Sequence, residues 1–233
     1  MTTAEHGIIL NHPLRTVLND IMHQRSLPPM KAPCRLQHWV VMIDNQDRPA
    51  EAQAVDGWRA QFSDHIVFDG PQRLLLRIDS RQFQWDRHTE FSTLTVIDES
   101  PFDEPFANDM LAGQAAAMLA TMPGELLRSA QFAVRARNQA MPEPDAIDAL
   151  FAPHPPLSCY ISDGGARVWS NMRPGPHGYA QVLVHDIETR GNALARALQR
   201  LIETGNYRKL ALLGFPAAQR ILPTLTTQEL QLA

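Results

Sequence analysis

The chain has 233 residues, 44% of them hydrophobic and 20% charged, with a formal net charge of −4. That balance excludes the disordered and fibrous classes, and it supplies no long-range field to attract nucleic acid or an anionic membrane. A chain this long buries roughly 70–75% of its unfolded surface, so its core needs neither disulfide nor metal.

From the N-terminus, Gly7 to Leu10 is too short for a signal-peptide core, and no run approaches the ~18 apolar residues of a membrane span. Asn11 reads as an N-cap with Pro13 in the first turn, and Leu14, Val17, Leu18, Ile21 and Met22 recur at helical spacing, predicting a helix over 12–25. Leu36 to Ile43 reads as a central strand, apolar on both faces at its end. Val55, Trp58 and Phe62 mark a second helix, and Ile66 to Phe68 a short strand.

Gln72 to Asp79 and Phe83 to Ile97 read as two strands joined by Asp79-Ser80-Arg81-Gln82. The implied register sets Ile78 opposite Phe83, Leu76 opposite Trp85 and Arg73 opposite His88. Leu74, Leu76, Ile78, Phe83, Trp85 and Phe91 then share one face, and Arg73, Arg77, Asp86, His88 and Glu90 the other. A change of apolar phase at Leu94 and Val96 predicts a bend near Ser92.

A loop with Pro101 and Pro105 precedes a small-residue helix over about 107–121, and Gln131 to Arg137 reads as a strand. The proline-rich stretch Met141 to Pro156 holds a helical turn at Asp145 to Phe151 and is the best boundary in the chain. Leu157 to Ser162 and Ala166 to Asn171 form a hairpin through Asp163-Gly164-Gly165, and Tyr179 to His185 adds a strand. From Ile187 the pattern is helical, with Leu194, Leu198, Leu201 and Ile202 on one stripe that Gly205 interrupts. Gly214 closes that helix and Pro216 opens a last one carrying Ala218, Ile221, Leu222, Leu225 and Leu232.

The expected fold is α+β: mixed, largely antiparallel sheets with helices packed on them, in two similar lobes, 1–140 and 141–233, that form one domain or two. A C-terminal helical pair ends it.

The densest titratable cluster is Trp85-Asp86-Arg87-His88-Thr89-Glu90-Phe91. With Arg73 and Arg77 across the hairpin, Asp86, Arg87, His88 and Glu90 make an outward-facing candidate site for a small anionic ligand or a protein partner. The alternatives are a solvated charged face and acid–base hydrolase or transferase chemistry, with His88 as base and Glu90 as its orienter. No HExxH, GxSxG, Walker loop or GxGxxG occurs, so neither cofactor nor metal is expected. Nucleic-acid binding lacks both charge and aromatic rows. The apolar stripe of the last helix suggests a third function, self-association or scaffolding. Cys34 and Cys159 read as thiols in a reducing, cytoplasmic compartment.

Four stretches resemble one bacterial family. They are His12-Pro13-Leu14-Arg15, Ala32-Pro33-Cys34-Arg35, the Trp85 to Phe91 cluster with Thr93 and Thr95, and Tyr207-Arg208-Lys209-Leu210-Ala211-Leu212-Leu213-Gly214. The family is domain of unknown function 3422, described as uncharacterised membrane-anchored proteins, and the resemblance covers nearly the whole chain. It implies no activity, cofactor or site residue. It does imply longer relatives with a hydrophobic C-terminal anchor at the membrane's inner face, and more helix-favouring residues where this chain has Gly205 and Asn206.

Overall fold

The computed structural model describes residues 12–15, 26–107 and 113–232. Nine strands among them form a single mixed sheet: β1 (Cys34–Met42), β2 (Ile66–Gly70), β3 (Arg73–Ile78), β4 (Arg81–Arg87), β5 (Phe91–Asp98), β6 (Glu125–Arg135), β7 (Leu157–Ile161), β8 (Ala166–Ser170) and β9 (Ala180–Asp186). Five α-helices accompany them: α1 (Arg48–Gln61), α2 (Gln114–Thr121), α3 (Pro144–Phe151), α4 (Ala193–Ala211) and α5 (Phe215–Leu232). Strand order is β2-β3-β4-β5-β1-β6-β9-β8-β7. Only the β6–β9 pair is parallel, so the sheet is mixed and largely antiparallel, as the sequence predicts, and α4 and α5 are the expected helical pair.

Each half of the chain runs strand, helix, meander. Their opening strands, β1 and β6, pair at the centre of the sheet, so the sheet is continuous from one half to the other. Gly124 makes the entry to β6 possible: it sits at φ +99, and a Cβ there would stand 2.0 Å from the Met42 carbonyl oxygen, a space open only to glycine.

Both faces of the sheet are covered. On one, Val55 and Trp58 of α1 and Ala115 and Met118 of α2 pack against Trp39, Leu74, Leu76, Phe83, Trp85, Leu94 and Val96. On the same face, Ile147 and Phe151 of α3 meet Ala133, Trp169 and Leu183. On the other, Leu194, Leu198 and Ile202 of α4, with Leu27 and Met30, cover Leu36, Ile97, Phe132 and Val184. This is a three-layer arrangement, which explains why the central strands carry so little exposed surface.

The β3–β4 hairpin is tighter than predicted. Ile78 pairs with Arg81, Leu76 with Phe83, Leu74 with Trp85 and Arg73 with Asp86. The turn is the two residues Asp79-Ser80, with Asp79 at φ +53. The predicted register was off by two residues. Because side chains alternate with period 2, that slip leaves every one of those residues on its predicted face.

The stretch read as one strand from Phe83 to Ile97 is a hairpin. The His88 N–H donates to the Phe91 carbonyl at 2.8 Å, and β4 and β5 pair with Trp85 opposite Leu94. The phase change taken as a bend near Ser92 is the signature of this reversal. It moves Phe91, paired with Met42, to the face opposite Trp85. His88 and Glu90 are therefore turn residues rather than strand residues.

The helix predicted over 12–25 lies mostly outside the described residues. Within them, the Leu14 N–H donates to His12 Nδ1 at 3.2 Å, so His12 caps this turn. Residues 108–112 of the predicted 107–121 helix also lie outside, and α2 forms the remainder.

Candidate functional site

Two linked spaces lie where the β4–β5 turn meets α4. The outer one is an open groove of about 590 Å³, lined by His88, Thr89, Glu90, Phe91, Tyr207, Leu210 and Ala211. The inner one is a chamber of about 20 Å³, room for a single water-sized group. His88, Phe91 and Tyr207 line both. The His88 and Phe91 rings stack at 4.0 Å with 15° between their planes, and Tyr207 meets Phe91 edge-on at 6.5 Å.

What holds the turn in place is a buried ion pair on α1. Arg48, Glu51, Val55 and Trp58 are the buried residues of this helix and recur at helical spacing, so the apolar stripe begins with two charges. The Arg48 guanidinium donates to the His88 carbonyl at 3.0 Å and the Thr89 carbonyl at 2.8 Å, and to Glu51 at 2.8 Å. The Glu51 carboxylate, wholly buried, also accepts from Trp85 Nε1 at 3.2 Å and from the Ser92 hydroxyl. Every charge in this knot is compensated, which is the condition for burying it.

Behind the chamber runs a second polar chain. Arg128 donates to Asn206 Oδ1 at 2.9 Å, which orients the amide so that its nitrogen faces His38 Nε2 at 3.1 Å. His38 Nε2 must then accept, so Nδ1 carries the proton and donates to Thr95 Oγ1 at 2.8 Å. Burial, and then the neighbouring Arg128, lower the His38 pKa to about 3, against the opposing Asn206 bond. The ring is neutral. Burial also lowers Arg128 to about 10.

Gly205 is what admits Arg128. A Cβ at residue 205 would stand 2.4 Å from Arg128 Nη2. Gly205→Ala, worth about 1 kcal/mol of helix propensity, is therefore expected to destabilise the protein. It costs Arg128 its bond to Asn206, about 1.5–3 kcal/mol, for a net loss of about 1 kcal/mol. Thermal unfolding by circular dichroism reads the sign: a rise in Tm would refute it.

The sequence-predicted residues are only partly assembled here. Asp86 lines the chamber and His88 lies between chamber and groove; Glu90 stands on the groove wall. Arg73 turns to the Ser26 carbonyl at 2.6 Å and Gln84 at 3.1 Å, with Asp86 at 3.8 Å. Arg87 points the other way, 3.6 Å from Glu51, and Arg77 is exposed outside both spaces. The polar face was expected to look outward. Instead α4 covers its Asp86 end, leaving Asp86 at 6% exposure and Gln84 at 1%.

Sequence reasoning missed His38, Thr93, Arg128, Glu203 and Asn206. One signal was present: Asn206 continues the buried stripe of Leu194, Leu198 and Ile202, and a polar residue on such a stripe demands a buried partner.

A family model described as "Protein of unknown function (DUF3422)" matches residues 10–233. The chain belongs to this family. No curated protein matches it, and no solved structure does. The family description carries no activity, so the reading of the groove rests on its own chemistry. No helix among the described residues is long and apolar enough to cross a membrane, and no group of three or more His, Cys, Asp or Glu among them could hold a metal ion.

Proposed function

We propose that this family member is a binding module whose ligand or partner engages the groove between the β4–β5 turn and α4. The observation that carries the reading is the contrast between a rigid wall and an open mouth. Arg48 and Glu51 clamp the turn from behind, while Tyr207, 55% exposed and edge-on to Phe91, offers an aromatic surface in front. Preorganised aromatic anchors of this kind supply binding energy at low entropic cost.

Native mass spectrometry of the purified full chain tests the proposal. A retained ligand or partner, lost in Tyr207→Ala, is the expected result. Identical retention by wild type and Tyr207→Ala would refute the groove as the site.

A second reading, self-association, is favoured by the apolar residues that α4 and α5 leave exposed, including Leu212, Leu213, Phe215, Ile221, Leu222 and Leu225. The same spectrum reports it as a doubled mass without ligand. We place the protein in the cytoplasm, a reading supported by the free thiols Cys34 and Cys159.

A further inference from the structure

Resting on that reading, we infer that the chamber behind the groove takes a primary ammonium group carried on an aliphatic stem, as in an alkylamine or a lysine side chain.

Charge points to a cation. Neither space is lined by lysine or arginine, whereas Asp86 and Glu203 line the chamber and Glu90 the groove. The neutral His38 adds no positive charge to the wall. An anion, the class expected from the sequence, would meet the Glu203 and Glu90 carboxylates on arrival, because Arg77 and Arg87 lie outside both spaces and Arg73 is held by Ser26, Gln84 and Asp86.

The second observation is independent of charge. Thr93, paired with Asp86 across β4 and β5, is 3% exposed and lines the chamber, and among the described residues its hydroxyl makes no side-chain hydrogen bond. Its hydrogen-bonding capacity is therefore left to whatever occupies the chamber. Glu203 spends one carboxylate oxygen on Gln199, at 2.7 Å. An ammonium brings three donors; Thr93 and Glu203 supply acceptors for it, beside an Asp86 carboxylate already met by Gln84 and Arg73.

Size selects the head group. A volume of about 20 Å³ holds one water-sized centre, which suits –NH₃⁺ and excludes the planar guanidinium. The stem would leave past His88, Phe91 and Tyr207, whose rings offer an apolar passage and favourable contact with positive charge.

An NMR titration of the full chain with n-butylamine, Nα-acetyl-lysine methylamide, n-butanol and n-butylguanidine tests this. Saturable shifts at Thr93 and Thr95 are expected, with n-butylamine binding roughly tenfold or more tightly than n-butanol, the step a charge-assisted bond supplies. Thr93→Val and Glu203→Gln should each weaken n-butylamine roughly tenfold; Glu203→Gln serves alone should Thr93→Val not fold. Tighter binding of the lysine amide supports a protein partner's lysine as the source, and tighter binding of n-butylamine a small amine.

Equal affinity for alcohol and amine, undiminished binding in a folded Glu203→Gln, or no saturable shift (water as the only occupant) would overturn the inference. A ligand released by Tyr207→Ala but indifferent to Glu203→Gln would overturn the ammonium assignment while leaving the groove reading intact.

Discussion

Glu51→Ala is expected to destabilise the protein by about 3–5 kcal/mol, the cost of leaving one half of a buried ion pair uncompensated. For a chain of this size that lowers Tm by roughly 6–20 °C. The side chain is wholly buried, and its removal strands not only Arg48 but the donors on Trp85 and Ser92 as well. The penalty belongs to desolvated charge rather than to lost packing, and a double variant separates the two. Arg48→Met with Glu51→Leu removes both charges and should recover most of the loss, since apolar replacement of a buried pair is often neutral or better. Denaturant unfolding gives both values. If the double variant is no more stable than Glu51→Ala alone, the ion pair is not the source of the effect. Hydrogen exchange adds a local readout: with Arg48 no longer held, its bonds to the His88 and Thr89 carbonyls loosen, and the His88 amide should exchange faster than the rest of β4.

The second large effect is acid sensitivity. His38 has a folded pKa of about 3 against an ordinary value of 6.5. The unfolded chain therefore binds the proton first as pH falls. Stability from His38 is complete above pH 6.5 and declines between pH 6.5 and about 3, by at most about 1.4 kcal/mol per pH unit. His185, lowered by burial and by Arg135 against the pull of Asp186, acts in the same direction. Asp98 and Asp186 are pushed up by burial, but their hydrogen bonds to Ser100 and Thr189 and their pairing with Arg81 and Arg137 outweigh it, so both are lowered. Their contribution is present above the ordinary carboxylate range and falls away only below it. Denaturant midpoints taken from pH 7 to pH 5 keep the histidine effect apart from the carboxylates. His38→Gln should be less stable at pH 7 and flatter across this window than wild type. Parallel slopes for the two proteins would show that His38 is not the proton acceptor.

Much of the architecture was legible because its causes are local. Alternation along Leu74, Leu76, Ile78 and Phe83, Trp85 named the buried face of the β3–β4 ribbon, and Trp85 lies there at 3% exposure. The turn residues Asp79 and Asp163 marked two hairpins, and the leucine stripe of α4 marked the helix that closes the sheet. Phe91 was assigned to the wrong face. The reversal at His88–Glu90 inverts the relation between odd and even positions, and a reversal and a bend leave the same trace in an alternating pattern.

The candidate site was harder to read, for a different reason. Periodicity states which residues share a face; it does not state whether the face meets water. The polar face of β3 and β4 would look outward in an isolated ribbon. It is closed here by α4, a helix more than 100 residues further along the chain. His38 and Asn206, 168 positions apart, meet only because β1 is central and α4 crosses beneath it. Composition, alternation and helical spacing thus determined the class of the fold, most of its elements and the parity of its strands, since each depends on neighbours a few residues away. Tertiary packing alone decided the depth of Asp86, the neutrality of His38 and the placing of a chamber behind the groove, because burial and charge compensation are properties of distant segments brought together.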